Sequence, residues 1–209
     1  MNTYSQNLQD LFVYSVLQKN NGYFLEIGSN HPITHNNTYL LENKFKWKGL
    51  MIEYDKSFEE SYKIERPNSI YEINDARNIN YRQIRDNNNF PVNMDYLQID
   101  LDVDNKSTLD TLLLLNNTVF DKYKFATVTF EHDIYSGNFF NTQETSRNIF
   151  KERGYILVFP NVLVYWLNDY KPFEDWYIHP DLVNIEIINK LKTDKSLKYD
   201  EIKKILFNL

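Results

Sequence analysis

One stretch near the start of the chain, residues 22–55, restricts the fold more than any other feature. It contains a short apolar strand (23–27), a turn of small residues that begins at Gly28, a segment long enough for a crossover helix, and a second strand that delivers Glu53. Glycine allows a ligand to approach the backbone, and an acid after the next parallel strand can accept hydrogen bonds from both ribose hydroxyls. The pattern predicts the entrance of a nucleoside-cofactor site.

The glycine content of the turn separates two cofactor classes. A dinucleotide site needs G-x-G-x-x-G because a pyrophosphate lies against the turn, whereas residues 28–33 read Gly-Ser-Asn-His-Pro-Ile. Pro32 also removes a backbone N–H that a phosphate would use. A cofactor without phosphate, such as S-adenosylmethionine, needs only room for its methionine arm and an acid for its ribose. The sequence therefore favours S-adenosylmethionine over NAD, and an ordinary α/β protein without a cofactor is a further interpretation.

Composition restricts the domain organisation and the partners. A length of 209 residues with 42% hydrophobic content is sufficient for one α/β domain, so we expect residues 1–209 to form a single domain. The net charge of −6 disfavours a nucleic-acid partner. No run approaches the roughly 20 apolar residues that span a bilayer, and the sequence has no cysteine, which fits a reducing compartment. We expect a cytoplasmic protein without membrane insertion.

Strand and helix patterns alternate along most of the chain. The predicted strands are 22–28, 48–54, 69–73, 96–102 and 124–130, and the predicted helices are 6–18 (capped by Ser5), 37–46, 56–65, 79–86, 107–115 and 142–153. The apolar runs 155–159 and 162–166 are too close for a crossover helix and predict an antiparallel hairpin, whereas 172–180 has no clean period and predicts a loop. We expect a doubly wound, Rossmann-like α/β sheet, mostly parallel with an antiparallel last strand. Among such sheets this arrangement resembles that of the class I methyltransferases.

Several segments also match a known family in order. They are Ser5-Gln6-x-x-Gln9-Asp10-Leu11-Phe12, Phe24-Leu25-Glu26-Ile27-Gly28-Ser29-Asn30, Asn37-Thr38-Tyr39-x-Leu41-Glu42 and Trp47-x-Gly49-Leu50-x-Ile52-Glu53, followed by 96–102 and 154–160. Together they resemble the FkbM-type methyltransferases, which are S-adenosylmethionine-dependent O-methyltransferases of class I, many acting on sugar hydroxyls. The resemblance implies a sugar or glycan acceptor and a fusion to, or association with, glycosyltransferases. Residues 99–103 depart from the family's usual Ile-Asp-Val-Glu-Gly, and Glu26 replaces the commoner aspartate.

The resemblance also implies which residues bind the cofactor. The Gly28 turn would hold the methionine arm, Glu53 the ribose, and Asp75 or the backbone of Ala76 the adenine amino group. The complete predicted cofactor set is Gln9, Glu26, Gly28, Ser29, Asn30, Asn37, Thr38, Glu53, Asn74, Asp75, Ala76 and Asp100.

Methyl transfer to a weakly acidic hydroxyl needs a general base or a metal ion. His132 is a candidate base because histidine titrates near neutral pH, and Asp100 and Asp102 are further catalytic candidates. Alternatively, acids at the ends of adjacent strands four and five could hold one Mg²⁺ ion. The predicted metal ligands are Asp100, Asp102, Glu131 and Asp133. Strand alternation places the two members of each pair on one face and directs His132 elsewhere. Besides NAD-dependent oxidoreduction, a binding module that keeps the fold without turnover is the remaining alternative.

Overall fold

In the computed structural model, which describes residues 2–209, alternating strands and helices form one sheet with helices on both faces. The strands are β1 (Tyr23–Ile27), β2 (Lys48–Glu53), β3 (Ile70–Ile73), β4 (Asn93–Ile99), β5 (Lys124–Glu131), β6 (Ile156–Trp166) and β7 (Asp169–Ile178). The helices are α1 (Gln9–Leu17), α2 (Tyr39–Phe45), α3 (Glu59–Glu65), α4 (Tyr81–Asn87), α5 (Ser107–Thr118), α6 (Phe140–Glu152), α7 (Ile185–Leu191) and α8 (Tyr199–Leu206), with 3-10 turns at Lys56–Phe58 and Ala76–Asn78. None of the described helices is long and apolar enough to cross a membrane.

The strand order is β3-β2-β1-β4-β5-β7-β6. Strands β1 to β5 pair in parallel, whereas β7 runs antiparallel to both β5 and β6. The predicted fold class, a mostly parallel doubly wound sheet whose last strand is antiparallel, is confirmed.

The winding direction of the sheet reverses between β1 and β4, because the chain proceeds outward from β1 to β3 and then crosses to β4. Ligands in open α/β sheets bind beyond the carboxyl ends of the strands at such a switch point. Ile27 pairs with Ile52 on one side and with Ile99 on the other. The residues that follow these three strand ends, including Gly28 and Asp100, therefore lie side by side.

Apolar residues cover both faces of the central strands, as expected for parallel strands between two helical layers. Along β1, Phe24 packs in one core with residues of α1 and α2, and Leu25 packs in the other core with residues of α5 and α6. Full burial of a side chain of this size contributes about 1.5–3 kcal/mol. Because side chains alternate along a strand, Glu26 points to the same face as Phe24, beneath the segment that leads into α2.

The C-terminal strands correct the sequence-based prediction. Residues 155–166 do not form a hairpin: Ile156–Trp166 is one strand with irregular register in its middle. The true turn lies at Leu167 and Asn168, both with positive φ (48° and 66°), and Asp169–Ile178, which includes most of the predicted loop, returns as β7. Asn161, read from sequence as a turn residue, is part of the irregularity in β6, where its N–H donates to Asp175 Oδ1 (2.8 Å) on β7.

Two predicted boundaries, the start of the first helix and the end of the fourth strand, are also wrong. The first helix begins at Gln9 rather than at residue 6, because the Ser5 hydroxyl donates to Asp10 Oδ1 (2.8 Å) instead of capping the helix. Strand β4 ends at Ile99 rather than at Asp102. The strand alternation predicted to place Asp100 and Asp102 on one face therefore does not apply to them.

Candidate cofactor site at the switch point

Two adjoining cavities lie at the carboxyl ends of β1 to β4. The larger, of about 500 Å³, is lined by Gly28 and Glu53 among others, and the smaller, of about 360 Å³, is lined by Ala76 and its neighbours after β3. The residues common to both cavities are Tyr54, Leu101 and Asp102. The two cavities together form one cleft that crosses the switch point. A further cavity of about 630 Å³ beside α2 and α3 contains none of the predicted site residues.

The turn after β1 requires glycine for two reasons. Gly28 has a φ of 81°, a left-handed conformation, and a Cβ atom at this position would lie 1.6 Å from the backbone oxygen of Asp100. Its N–H donates to Ile52 O (2.9 Å), and the N–H of the buried Ser29 donates to the same oxygen (3.1 Å). The turn therefore lies directly against β2 and β4, with its open side toward the larger cavity.

Glu26 lies beneath this turn rather than in the cleft. Its side chain is fully buried and accepts hydrogen bonds from Asn37 N (2.9 Å), Thr38 Oγ1 (2.6 Å) and Asn36 Nδ2 (3.3 Å). Burial raises the pKa of Glu26 to about 7, although the Arg66 charge and these hydrogen bonds act in the opposite direction. Glu26 therefore attaches the segment before α2 to β1.

Glu53 lies at the mouth of the cleft with both carboxylate oxygens engaged. Oε2 accepts the N–H of Asn30 (2.6 Å), and Oε1 accepts those of Tyr54 (2.8 Å) and Asp55 (2.7 Å). An ionised carboxylate offers about four acceptor positions, so about one is left for a ligand hydroxyl. That Glu53 accepts both ribose hydroxyls stays a prediction, and it would require one of these three hydrogen bonds to be released.

The smaller cavity is lined by the segment that follows β3. Asn74 is exposed there, and Ala76 is 4% exposed. The Ala76 N–H has no protein acceptor within residues 2–209. Asp75 forms an ion pair with Arg77 (2.6 Å), and the hydrogen bonds from Arg77 lower the pKa of the Asp75 carboxyl.

Five predicted cofactor residues line neither cavity: Glu26 and Ser29, described above, and three more that lie behind the cleft, Gln9, Asn37 and Thr38. Gln9 is 2% exposed and donates from Nε2 to Glu174 Oε1 (2.9 Å). Thr38 is fully buried against Glu26. Asn37 is also buried, and its Oδ1 atom has no hydrogen-bond partner within the described chain. Direct contact of these three with a cofactor stays a prediction.

The acids after β4 and β5 lie against one another. Asp100 is half-buried and lines the larger cavity, and the pairing of Ile99 with Phe130 places Glu131 beside it. Burial raises the pKa of Glu131 well above its usual range, and the Asp100 charge adds to this effect. Burial likewise raises the pKa of Asp100, which accepts a hydrogen bond from Glu131. The pair therefore keeps a proton to a higher pH than an exposed carboxyl group does.

The other two predicted metal ligands, Asp102 and Asp133, follow Asp100 and Glu131 in the chain. Asp102 is exposed and accepts from Asp104 N (3.0 Å) and Asn105 Nδ2 (3.1 Å) at the start of α5, whereas Asp133 contacts Glu131. No group of three His, Cys, Asp or Glu side chains in the part of the chain that the structure describes has a geometry that could hold a metal ion. The predicted Mg²⁺ site has no support from the structure.

His132 lies one residue beyond β5, where strand alternation no longer applies, and its ring contacts Gln143 and Asp175. It is fully buried, lines neither cavity, and places Nε2 3.2 Å from Gln143 Nε2 and 3.6 Å from Asp175 Oδ1. A general base must reach the proton that it abstracts. In this arrangement His132 is enclosed by protein, so the structure gives the catalytic role predicted for it no support.

Sequence reasoning missed two residues that line both cavities. Tyr54 is 76% exposed although it is aromatic, and Leu101 lies between the two predicted acids. A large aromatic directly after Glu53, the predicted ribose ligand, is a signal that could have identified Tyr54. Leu101 could have been identified from its position beyond the end of β4.

The chain matches no protein-family model and no curated protein, but its fold is similar to that of several solved structures. A TehB-like SAM-dependent methyltransferase from Corynebacterium glutamicum has 8% identity, with 82% of this chain and 87% of that chain covered and a TM-score of 0.51. Precorrin-6y C5,15-methyltransferase from Geobacter metallireducens has 10% identity, coverage of 83% and 87%, and a TM-score of 0.54. TrmK from M. capricolum, in complex with S-adenosyl-homocysteine, has 15% identity, coverage of 94% and 93%, and a TM-score of 0.50. None of these three is described as an FkbM-type enzyme, so that finer resemblance stays a prediction. The chain has the fold of the class I S-adenosylmethionine-dependent methyltransferases.

Proposed function

We propose that this protein is a methyltransferase that uses S-adenosylmethionine. The observation that carries the proposal is the cleft at the switch point, in which Gly28 and Glu53 line one cavity and Ala76, whose N–H has no protein acceptor within residues 2–209, lines the next. The likeness to methyltransferase structures, one of them in complex with S-adenosyl-homocysteine, supports it.

The residues of the cleft fit the parts of this cofactor. The larger cavity beside Gly28 has room for the methionine arm, and the remaining acceptor position of Glu53 suits one ribose hydroxyl. The Ala76 N–H can donate to an adenine ring nitrogen in the smaller cavity. When bound, the cofactor supplies an electrophilic methyl group on a positively charged sulfur. The nearby carboxylates of Glu53 and Asp100 complement that charge.

Asp100 is the side chain best placed to take the acceptor's proton. It lines the larger cavity, and the proton held by Glu131 leaves Asp100 as the acceptor of the pair. A carboxylate whose pKa is raised is a stronger base near neutral pH, and a positioned base typically contributes about 10²–10⁴ in rate. We therefore propose O-methylation, with a sugar or glycan hydroxyl as the acceptor. The sugar, and an association with glycosyltransferases, follow from the family resemblance alone.

Isothermal titration calorimetry tests the cofactor assignment. We expect S-adenosylmethionine and S-adenosyl-homocysteine to bind in the micromolar range and NAD not to bind. Glu53→Gln keeps the size of the side chain but removes its charge, and should weaken S-adenosyl-homocysteine about tenfold, the loss of roughly one charged hydrogen bond. Binding of NAD alone, or of none of the three ligands, would contradict the proposal.

A methyl-transfer assay with a panel of deoxyhexose glycosides tests the reaction. Transfer to a hydroxyl supports O-methylation, whereas cofactor binding without transfer to any member of the panel favours the non-catalytic binding module. Full activity in the presence of EDTA would remove the predicted requirement for Mg²⁺.

A further inference from the structure

Arg66, which directly follows α3, is an almost fully buried cation beside the segment that connects the Gly28 turn to α2. Its side chain is 1% exposed. Nε donates to Glu42 Oε2 (2.8 Å), and NH1 donates to Pro32 O (3.2 Å) and to Asn36 Oδ1 (2.9 Å). NH2 donates to Thr38 Oγ1 (2.7 Å). The guanidinium fork thus binds three positions of the segment between the Gly28 turn and α2.

These contacts continue to the acid on β1. Thr38 Oγ1 and Asn36 Nδ2 both donate to Glu26 Oε2 (2.6 and 3.3 Å), so the segment lies between a buried cation and a buried carboxylate. Asn36 Oδ1 also accepts the N–H groups of Thr38 (3.1 Å) and Tyr39 (2.7 Å). Buried charges are tolerated when they are paired and hydrogen-bonded. Glu42 on α2 supplies the ion pair for Arg66, whereas its other hydrogen bonds form only while the segment keeps this conformation.

The same segment forms part of the cleft. Asn30 and His35 line the larger cavity with Gly28 and Glu53, and Asn30 is connected to Glu53 by a hydrogen bond of 2.6 Å. Arg66 lines neither cavity. Its acceptors at Pro32 and Asn36 lie on either side of His35 in sequence, so the cation fixes the backbone that presents this wall.

We infer that Arg66 is a positioning residue that holds residues 29–38 in the conformation that binds the cofactor, an inference that rests on the proposed function. Lysine cannot replace it fully, because a single ammonium group lacks the planar fork that reaches several acceptors at once.

The chain offers a matched control in Arg85, a second buried arginine. Its side chain is fully buried and lies 3.4 Å from the centroid of the Tyr123 ring, and its hydrogen bond goes to Pro91 O (3.3 Å). It has no contact with the cofactor segment. Arg85→Met therefore reproduces the removal of a buried guanidinium without changing the cleft.

The experiment compares wild type, Arg66→Met, Arg66→Lys and Arg85→Met by two measurements. Hydrogen exchange followed by mass spectrometry should show residues 29–39 exchanging at least about tenfold faster in Arg66→Met than in wild type. Arg85→Met should exchange at the wild-type rate, and Arg66→Lys should lie between wild type and Arg66→Met. Calorimetry should show S-adenosyl-homocysteine binding about tenfold more weakly or worse in Arg66→Met, less weakened in Arg66→Lys, and unchanged in Arg85→Met.

The two measurements separate the possible failures. If wild type does not bind S-adenosyl-homocysteine, the proposed function fails. If wild type binds it, and Arg66→Met and Arg66→Lys are folded with unchanged affinity, the inference is overturned while the proposed function stands. Unchanged exchange of residues 29–39 in both Arg66 variants overturns it as well. Should Arg66→Met not fold, Arg66→Lys decides, because it keeps the positive charge beside Glu42 and Glu26.

Discussion

The acids have different surroundings in the two halves of the sheet's carboxyl edge, the half formed by β1 and β2 and the half formed by β4, β5 and β7. After β1 and β2, the carboxylates of Glu26 and Glu53 accept hydrogen bonds from backbone N–H groups, hydroxyls and amides. After β4 and β5, Asp100 and Glu131 lie against each other, and Glu174 on β7 pairs in register with Glu131. The first half places each acid among hydrogen-bond donors, although burial raises the pKa of Glu26 there to about 7, and the second half places acids against one another.

On the proposed function, this difference corresponds to a half that binds the cofactor and a half that carries out the reaction. Carboxylates surrounded by donors keep loops in place and leave few acceptor positions free, which suits a half of the cleft that must fit one cofactor closely. Burial raises the pKa of the acids in the second half, and the charges of the neighbouring carboxylates add to this effect. Burial raises the pKa of Glu174 well above its usual range in the same way. On the proposed function, Asp100 is the member of this set that would accept the proton of the acceptor hydroxyl.

The largest expected effect tests whether the Gly28 turn, in the half of the edge formed by β1 and β2, is as rigid as its hydrogen bonds indicate. In Gly28→Ala the new Cβ would lie 1.6 Å from Asp100 O, in a backbone with a φ of 81°. The left-handed conformation and the overlap together should lower the free energy of unfolding by about 2–5 kcal/mol. They should also reduce affinity for S-adenosyl-homocysteine by about 100-fold or more. Chemical denaturation and calorimetry measure these two effects.

Gly154→Ala is the control for backbone strain alone. Gly154 has a φ of 86°, but its new Cβ would meet its nearest neighbour, His179 Nε2, at 3.6 Å. We expect a loss of about 1 kcal/mol and unchanged cofactor affinity. Equal effects of the two variants on affinity would contradict the close contact of the Gly28 turn with β4.

The position of Gly28 and Glu53 at the cleft could be predicted from sequence because the signals are local. A glycine turn after one strand and an acid after the next identify Gly28 and Glu53 without knowledge of distant contacts. Arg66 could not be found in this way, since its partners Glu42, Asn36 and Thr38 lie 24 to 30 residues away in the chain. A lone arginine between a helix and a proline has no local pattern that indicates a buried cation.

The other half was harder to predict because burial hides its periodicity. Residues 173–178 of β7 are all buried, so alternation of polar and apolar residues is lost and the strand reads as an irregular segment. Its charged members Glu174 and Asp175 are buried against partners from distant elements, Gln9 and Arg147. His132 follows the same rule: its enclosure by Asp175 and Gln143 depends on tertiary packing that a single sequence does not show.

The next expected effect tests whether the second half is catalytic. Asp100→Asn keeps an acceptor for the Glu131 proton but cannot accept a proton itself, so methyl transfer should fall about 100-fold. Affinity for S-adenosyl-homocysteine should change by less than about threefold, because the sulfur of this product is uncharged and Asn keeps the size of the side chain. Initial-rate kinetics and calorimetry provide the two values.

Glu174→Gln provides the matched comparison for that variant. Glu174 is also buried in the acidic group, but it lines neither cavity. We expect a normal rate of methyl transfer from this variant. A loss in Glu174→Gln as large as that in Asp100→Asn would mean that the acids act through stability and that neither one is the base.

The smallest expected effect concerns the proton that the second half retains. In Glu131→Gln the amide replaces the protonated acid and can donate to Asp100, so the carboxyl group that burial disfavours in its charged form is removed. The free energy of unfolding at about pH 8 should rise by on the order of 1 kcal/mol. Chemical denaturation at a series of pH values measures the change.

The sign follows from the raised pKa of Glu131. The folded protein binds this proton more tightly than the unfolded chain does, so its stabilising contribution is complete below the usual glutamate pKa of 4.5 and is lost as pH rises toward the folded-state pKa. The gain in Glu131→Gln should therefore vanish near pH 4 and grow toward neutral pH, whereas Glu144→Gln, at an exposed position on α6, should show no such trend. A gain that is equal at every pH would mean that Glu131 shares no proton with Asp100, and the contrast between the two halves of the edge would then reduce to packing.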